Sequence, residues 1–371
     1  MKILLGGIPL GCDNIGDEAI IACVVKMLKE SLPGVALTVA TADAATAERL
    51  GVDVAPPFGF LDVGFAGFAE TVRRHDAYVW CGATGLSDYP HVGLGLLEIA
   101  QREGVRTFVW GVGMDDELNP VFFKAAGKRR FVLRCLGLVG WYERLLRRRL
   151  ARRIGRVLPR CAGVWLRDPQ SAAMLAATGF PGAGVAADTA IMLGGGAAKP
   201  AADAQPTLGL CISTQRQVAD LDGVRRLVAA VRASGAKVVG IPMNVKTDRA
   251  LLEKSLDVEC IPGVTPEAVT EAAARCSVVL SSRLHLLILA ANAGTPGIGI
   301  ARGSKLANWL ANFGQSVAGS VYDCDWDKAT ERVLAALRDR GDWDAVRTSA
   351  YARLGERLER ARTEFVERLL K

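Results

Sequence analysis

Short apolar runs alternate with longer stretches of helical period along most of the chain. Runs at 2–5, 35–40, 77–80, 106–110, 163–166, 208–212, 237–241 and 278–280 are rich in Val, Ile, Leu and aromatic residues and read as buried strands. Weaker runs at 52–55, 185–188 and 258–261 read the same way. Between them, 19–32, 44–50, 65–74, 92–102, 221–234, 248–255, 266–274 and 304–313 carry helix formers, and several are closed by Gly or opened by Pro, Ser or Asp. This alternation predicts an α/β chain with parallel, doubly wound sheets. At 371 residues the chain exceeds what one core usually supports, so two domains are expected. Residues 194–207 are rich in Gly, Ala and Pro and mark the boundary. The expected layout is an N-terminal domain at 1–195, a linker at 196–207, a second domain at 208–325 and a helical tail at 326–371. Within the tail, Leu354, Leu358, Phe365 and Leu369 recur at helical spacing and are candidate core positions. The two halves read as similar α/β layers with a cleft between them.

One stretch concentrates chemistry. The strand 278–280 runs into Ser281-Ser282-Arg283-Leu284-His285, then into a helix closed near Gly294, then into a second strand at 297–301. A strand-to-helix corner of such a βαβ unit lies where ligands bind in open α/β sheets. The helix start offers N–H groups and a partial positive charge. Arg283 adds a fork for carboxylate or phosphate, and His285 a group that exchanges a proton near neutral pH. The corner therefore reads as an anion site with a proton donor, against the simpler reading of a helix start with an incidental His. Lys305 opens the helix after 297–301, so successive parallel strands bring its corner to the same sheet edge.

Two other corners qualify. The loop Gly11-Cys12-Asp13-Asn14-Ile15-Gly16-Asp17-Glu18 joins a strand to a helix but is neither GxGxxG nor a P-loop. Asp17 and Glu18 read equally well as helix-start carboxylates or as a catalytic pair. At Arg167-Asp168 the leading reading is a salt bridge with Asp168 capping a helix.

Composition changes the picture at one place. The net charge of +7 is not spread evenly: 124–160 holds 13 Lys/Arg and one acid, Glu143, while the remainder has 33 basic and 38 acidic residues. After Phe122-Phe123 and Trp141-Tyr142, the arginines from Arg144 to Arg156 interleave with Leu145, Leu146, Leu150 and Ile154 at helical spacing. A basic amphipathic helix resting on an anionic membrane surface is the expectation, against an insertion with merely solvated arginines. No nucleic-acid reading motif accompanies it, so no nucleic acid is expected. No run reaches the roughly 18 apolar residues of a membrane span. Met1-Lys2 leads directly into a strand without a leader pattern, and nine scattered cysteines form no CxxC pair. These features predict a reduced, cytoplasmic chain, peripheral on the membrane, with no metal site.

With these motifs in place, the chain resembles the polysaccharide pyruvyl transferase family. The resemblance rests on Asn14-Ile15-Gly16-Asp17-Glu18-Ala19, the loop from Gly82 to Asp88, Gly111-Val112-Gly113, Arg167-Asp168 with Ser171, Ala187-Asp188-Thr189-Ala190, Arg283-Leu284-His285, Gly294 with Pro296, and Lys305. It implies two Rossmann-like domains with a central cleft, similar to the GT-B architecture. It implies transfer of pyruvate from phosphoenolpyruvate, a co-substrate, to a glycan or lipid-linked sugar, with no cofactor. On the same resemblance Arg283, Leu284, His285 and Lys305 hold phosphoenolpyruvate. His285, Asp17 and Arg167 are catalytic, and Asn14, Gly16, Asp17, Glu18 and Asp88 face the acceptor. The alternative is a GT-B-like glycosyltransferase using a nucleotide sugar.

Overall fold

Two parallel sheets organise the chain. The computed structural model describes residues 1–194, 205–213, 218, 220–263 and 265–371; most of the expected linker, 196–204, lies outside the described residues. The first sheet is built from β1 (Lys2–Gly6), β2 (Ala36–Ala40), β3 (Asp53–Ala55), β4 (Ala77–Cys81), β5 (Arg106–Val112), β6 (Gly163–Leu166) and β7 (Gly184–Val185), in the order β3-β2-β1-β4-β5-β6-β7. The second contains β8 (Thr207–Cys211), β9 (Lys237–Gly240), β10 (Val278–Ser281), β11 (Gly297–Ala301) and β12 (Gly319–Ser320), in the order β12-β11-β10-β8-β9. Every pairing between these strands is parallel.

Each sheet reverses its winding once. In the first, β1 is followed by β2 on one side, and the chain returns to place β4 on the other. In the second, β8 has β9 on one side and β10 on the other. Connections leave such neighbours toward opposite faces and open a crevice at their carboxyl ends. The crevice of the second sheet therefore lies beyond Cys211 and Ser281, which are register partners.

The chain divides into two units that are not colinear. One contains Met1–Leu10, Val24–Asp188 and Arg357–Lys371; the other contains Gly11–Cys23 and Thr189–Glu356. The loop carrying Asn14 to Glu18 thus belongs with the second sheet, although it follows β1. The C-terminal helices, Trp326–Arg338 and Trp343–Leu370, are core elements and not an appended tail. Trp326, Ala329, Val333 and Leu337 join the core around β8 and β10. Phe365 is fully buried in the first unit, stacked on Trp110 at 4.8 Å and edge-on to Phe108 at 5.5 Å. Leu354, Leu358 and Leu369 are also buried, as their spacing predicts.

Boundaries shift where local geometry intervenes. The helix expected at 65–74 is Phe68–Val72, because Gly67 before it takes a left-handed conformation (φ 80°). The run 258–261 is not a strand: only Cys260 forms a parallel bridge, to Gly240 at the end of β9. The apolar run is real, but β9 ends at Gly240 and leaves it nothing further to pair with.

The basic stretch folds as two helices, Gly127–Cys135 and Val139–Val157. The sequence placed Leu150 and Ile154 on a membrane-facing stripe; they are instead buried in the core of the first unit together with Val157. The helical period finds a face but not what the face meets.

Candidate functional site

The corner after β10 is tightly built. All four strand residues, Val278 to Ser281, are buried. The Ser281 hydroxyl accepts from the Arg283 N–H at 2.9 Å and lies 2.9 Å from the Arg283 carbonyl, which folds the turn back on itself. The Ser282 N–H donates to the Cys211 carbonyl at 2.9 Å, and its hydroxyl accepts from the Ser213 N–H at 2.9 Å, tying the corner to the end of β8. The helix Leu284–Asn292 then begins at once, with Arg283 as its N-cap in extended conformation.

Arg283 is held by a residue that the sequence did not single out. Its Nε donates to Asp248 Oδ2 at 3.1 Å and its Nη2 to Asp248 Oδ1 at 2.8 Å. Asp248 is completely buried, and its carboxylate also accepts from the Met243 and Asn244 N–H groups at 3.3 and 3.0 Å and from the Thr247 hydroxyl at 3.1 Å. A buried carboxylate with this many donors is a fixed anchor. Burial alone would lower the Arg283 pKa, but the Asp248 charge and hydrogen bonds outweigh it, with Cys211 and Asp17 adding, so the net shift is upward. The guanidinium stays charged and oriented.

The Asn14–Glu18 loop comes to the same corner. Ile15 N–H donates to the Met243 carbonyl at 3.0 Å, Asn14 and Asn244 form an antiparallel bridge, and the Asn244 amide donates to the Cys12 carbonyl at 3.3 Å. Asn14 Nδ2 donates to Asp17 Oδ2 at 2.6 Å, and Asp17 is 3% exposed. Gly16 lies against the His285 imidazole: a Cβ built there would sit 2.9 Å from the His285 Cβ and closer still to the ring. Only a residue without a side chain permits this approach. The nearby Cys12 thiol is pushed up to about 11 by burial, then by the charges of Asp17 and Asp13. Asp17, Arg283 and His285 are thus gathered within one unit, through contacts that their sequence separation hides.

The neighbouring strand end adds two cations. β11 is the parallel neighbour of β10, and Lys305 opens the helix Lys305–Ala311 that follows it, half-buried. Arg302, which sequence reasoning passed over, donates from Nη1 to the Ser213 hydroxyl at 3.1 Å. Its position just past β11, at the ligand edge of a parallel sheet, was the available signal.

Arg167 and Asp88 belong to the other unit and have their own surroundings. Arg167 is 5% exposed; its Nε bonds Asp168 Oδ2 at 3.3 Å and its Nη1 lies 3.9 Å from Asp188 Oδ2. A Cβ at Gly113 would come within 2.6 Å of Arg167 Nη2, which accounts for the glycine after β5. Asp168 caps the helix Pro169–Ala177 by accepting from the Ser171 N–H at 2.7 Å. The salt bridge and cap expected at this corner are both present. Asp88 ends the short helix Gly85–Asp88 and is half-buried, its carbonyl accepting from Asn119 Nδ2 at 3.0 Å.

Comparison with known proteins agrees with this architecture. The family model described as polysaccharide pyruvyl transferase matches residues 14–304. A UDP-GlcNAc 2-epimerase from Neisseria meningitidis bound to UDP-GlcNAc superposes with a TM-score of 0.58 at 12% identity, covering 100% of both chains. The glycotransferase of kitacinnamycin gives 0.59 at 12% identity, over 99% of each chain. The Methanocaldococcus jannaschii UDP-GlcNAc 2-epimerase in complex with UDP-GlcNAc and UDP gives 0.53 at 10%, over 94% of this chain and 97% of that one. At such identities the likeness establishes the fold alone: two Rossmann-like domains of the GT-B kind. No curated protein sequence matches the chain.

Proposed function

Because the chain belongs to the polysaccharide pyruvyl transferase family, we propose that it moves pyruvate from phosphoenolpyruvate to a sugar of a cell-surface polysaccharide or its lipid-linked precursor. The product is a ketal across two hydroxyls, with release of phosphate. The observation that carries this reading is the corner of the second sheet, where Arg283 is clamped by Asp248 and His285 is packed on Gly16.

Phosphoenolpyruvate carries a carboxylate and a phosphate, so it needs several fixed cations at close range. Arg283 supplies the edge of its guanidinium that Asp248 does not hold to one of these groups, and Lys305 a point charge to the other. Protonation of the methylene carbon makes C2 electrophilic, and His285 is the group assigned to deliver that proton. A sugar hydroxyl then adds to C2, with Asp17 as the base that takes its proton. A second hydroxyl of the same sugar displaces phosphate, its proton leaving with that group as hydrogen phosphate, and Arg283 and Lys305 stabilise the developing charge. Asn14 orients Asp17 through its 2.6 Å hydrogen bond. Asn14, Gly16, Glu18 and Asp88 are assigned to the acceptor, and Arg167 to catalysis, on the strength of the family motifs.

Nucleotide-sugar transfer is the rival reading, since several structures of like fold are described with UDP or UDP-GlcNAc. Incubating the whole protein with phosphoenolpyruvate and candidate glycans, while following inorganic phosphate, separates the two. Acceptor-dependent phosphate release is expected, falling about 10²–10⁴-fold in His285→Ala. Release that survives His285→Ala removes the acid assignment. Tight binding of a nucleotide sugar without any phosphate release favours the rival.

A further inference from the structure

We propose that residues 121–141, with the outward arginines of the helix Val139–Val157, form a surface that docks on an anionic lipid bilayer. The proposal is independent of the transfer reaction and concerns the first unit alone.

Exposed apolar side chains are concentrated here. Among the described residues, thirteen large hydrophobics are exposed, and six of them lie between Val121 and Trp141: Val121, Phe131, Val132, Leu136, Leu138 and Trp141. All seven tryptophans are described; six are at most 7% exposed, whereas Trp141 is 54% exposed. The helix Gly127–Cys135 has no buried residue at all. A helix of nine residues gains little stability from its own hydrogen bonds, so packing on something must supply the rest.

The following helix is divided along its length. Its C-terminal half is committed to the core through Leu150, Ile154 and Val157, and Arg153 is bound to Glu98 at 2.7 Å. The apolar side of this half is the anchor and not the membrane face. Along the outward side of the helix Arg144, Arg147, Arg148, Arg149 and Arg152 remain exposed, and Lys128, Arg129, Arg130 and Arg134 are exposed on the helix before. Exposed apolar and aromatic side chains and exposed cations therefore share these two helices, the second of which has a buried base.

Charge selects the occupant. The 13 Lys/Arg and one acid of 124–160 stand against a net acidic remainder, so an anionic surface attracts this face and repels the rest. A Trp beside basic residues suits the headgroup boundary, where an apolar ring and polar tip are both accommodated. A nucleic-acid backbone would satisfy the arginines but would leave Val132, Leu136 and Leu138 in water. No helix among the described residues is long and apolar enough to cross a membrane, so the contact lies in the interface plane.

The test is cosedimentation of the full chain with phosphatidylcholine vesicles, with and without phosphatidylglycerol. Binding to the anionic vesicles only, weakened by salt, is expected. Each arginine removed near the surface lowers the partition coefficient about fivefold, so R147Q/R148Q/R149Q should lower it about a hundredfold. F131S/L136S/W141S keeps every charge and should lose binding as well; its side chains are exposed, so its circular dichroism and melting should match the parent. Brominated lipid should quench part of the tryptophan emission, and Trp141→Phe should abolish that quenching. No binding to anionic vesicles, binding unchanged in both triple variants, or binding without quenching overturns the proposal; the first leaves the patch to a protein partner, the second places the contact elsewhere on the chain, and the last points to simple charge adhesion.

Discussion

Asp248 receives the guanidinium of Arg283 through two hydrogen bonds, at 3.1 and 2.8 Å, in a site where the carboxylate is wholly buried. The two residues are 35 positions apart and come from different βα corners of one sheet. Asp248 touches no reacting atom in the proposed chemistry; it is a positioning residue for Arg283. Removing one partner of a buried ion pair costs roughly 3–5 kcal/mol, because the other charge is left without compensation. Asp248→Ala should therefore lower the melting temperature sharply. Asp248→Asn keeps the shape but weakens the clamp. It should fold, and it should raise the KM for phosphoenolpyruvate more than it lowers kcat.

Gly16 tests whether the approach to His285 matters. An added methyl would overlap the imidazole, so the ring or the loop must move. Overpacking of this kind costs about 1–3 kcal/mol. Gly16→Ala should show a modest loss of stability and a much larger loss of phosphate release, read by calorimetry and by turnover on the same preparation.

Glu98 gives a pH dependence of known sign. Burial would raise its carboxyl pKa, but Arg153, with Arg156 and Arg102, outweighs burial and holds it below the ordinary 4.5. A depressed folded pKa stabilises fully above the unfolded value and is lost as pH falls through the folded one. Acid below about pH 4.5 should thus loosen the helix Val139–Val157 from the helix Pro90–Arg102. Glu98→Gln should remove that part of the acid sensitivity, seen as hydrogen-exchange protection in residues 139–157, relative to the intrinsic rate at each pH, that no longer falls between about pH 5 and 3.

Phe365 closes the first core from the far end of the chain. It is fully buried against Trp110, Trp165 and Phe108. Phe365→Ala should cost about 3–5 kcal/mol, measured by denaturant unfolding.

Much of this was legible in the sequence because strands and helices alternate with clear punctuation. The corner at Ser281 to His285 stood out for the same reason: an apolar strand, a polar turn and an uninterrupted helix locate it without knowledge of any partner. Asp248 and Arg302 did not stand out, since their roles depend on strand order. β10 returns to the far side of β8 from β9, so the Asp248 and Arg283 corners follow strands that are not sheet neighbours. The same limit misplaced Leu150 and Ile154, whose spacing defined a face but not its neighbour. It also hid that Asn14 to Glu18, which follow β1, pack with the second sheet through Met243 and Asn244.

The central claim is that the Arg283–His285 corner binds phosphoenolpyruvate. Calorimetric titration of the whole protein with phosphoenolpyruvate tests it without an acceptor. Binding is expected in the parent chain and should weaken at least about tenfold, or 1.4 kcal/mol, in Arg283→Ala and in Lys305→Ala. No binding to the parent chain, or binding that both substitutions leave unchanged, would contradict the claim.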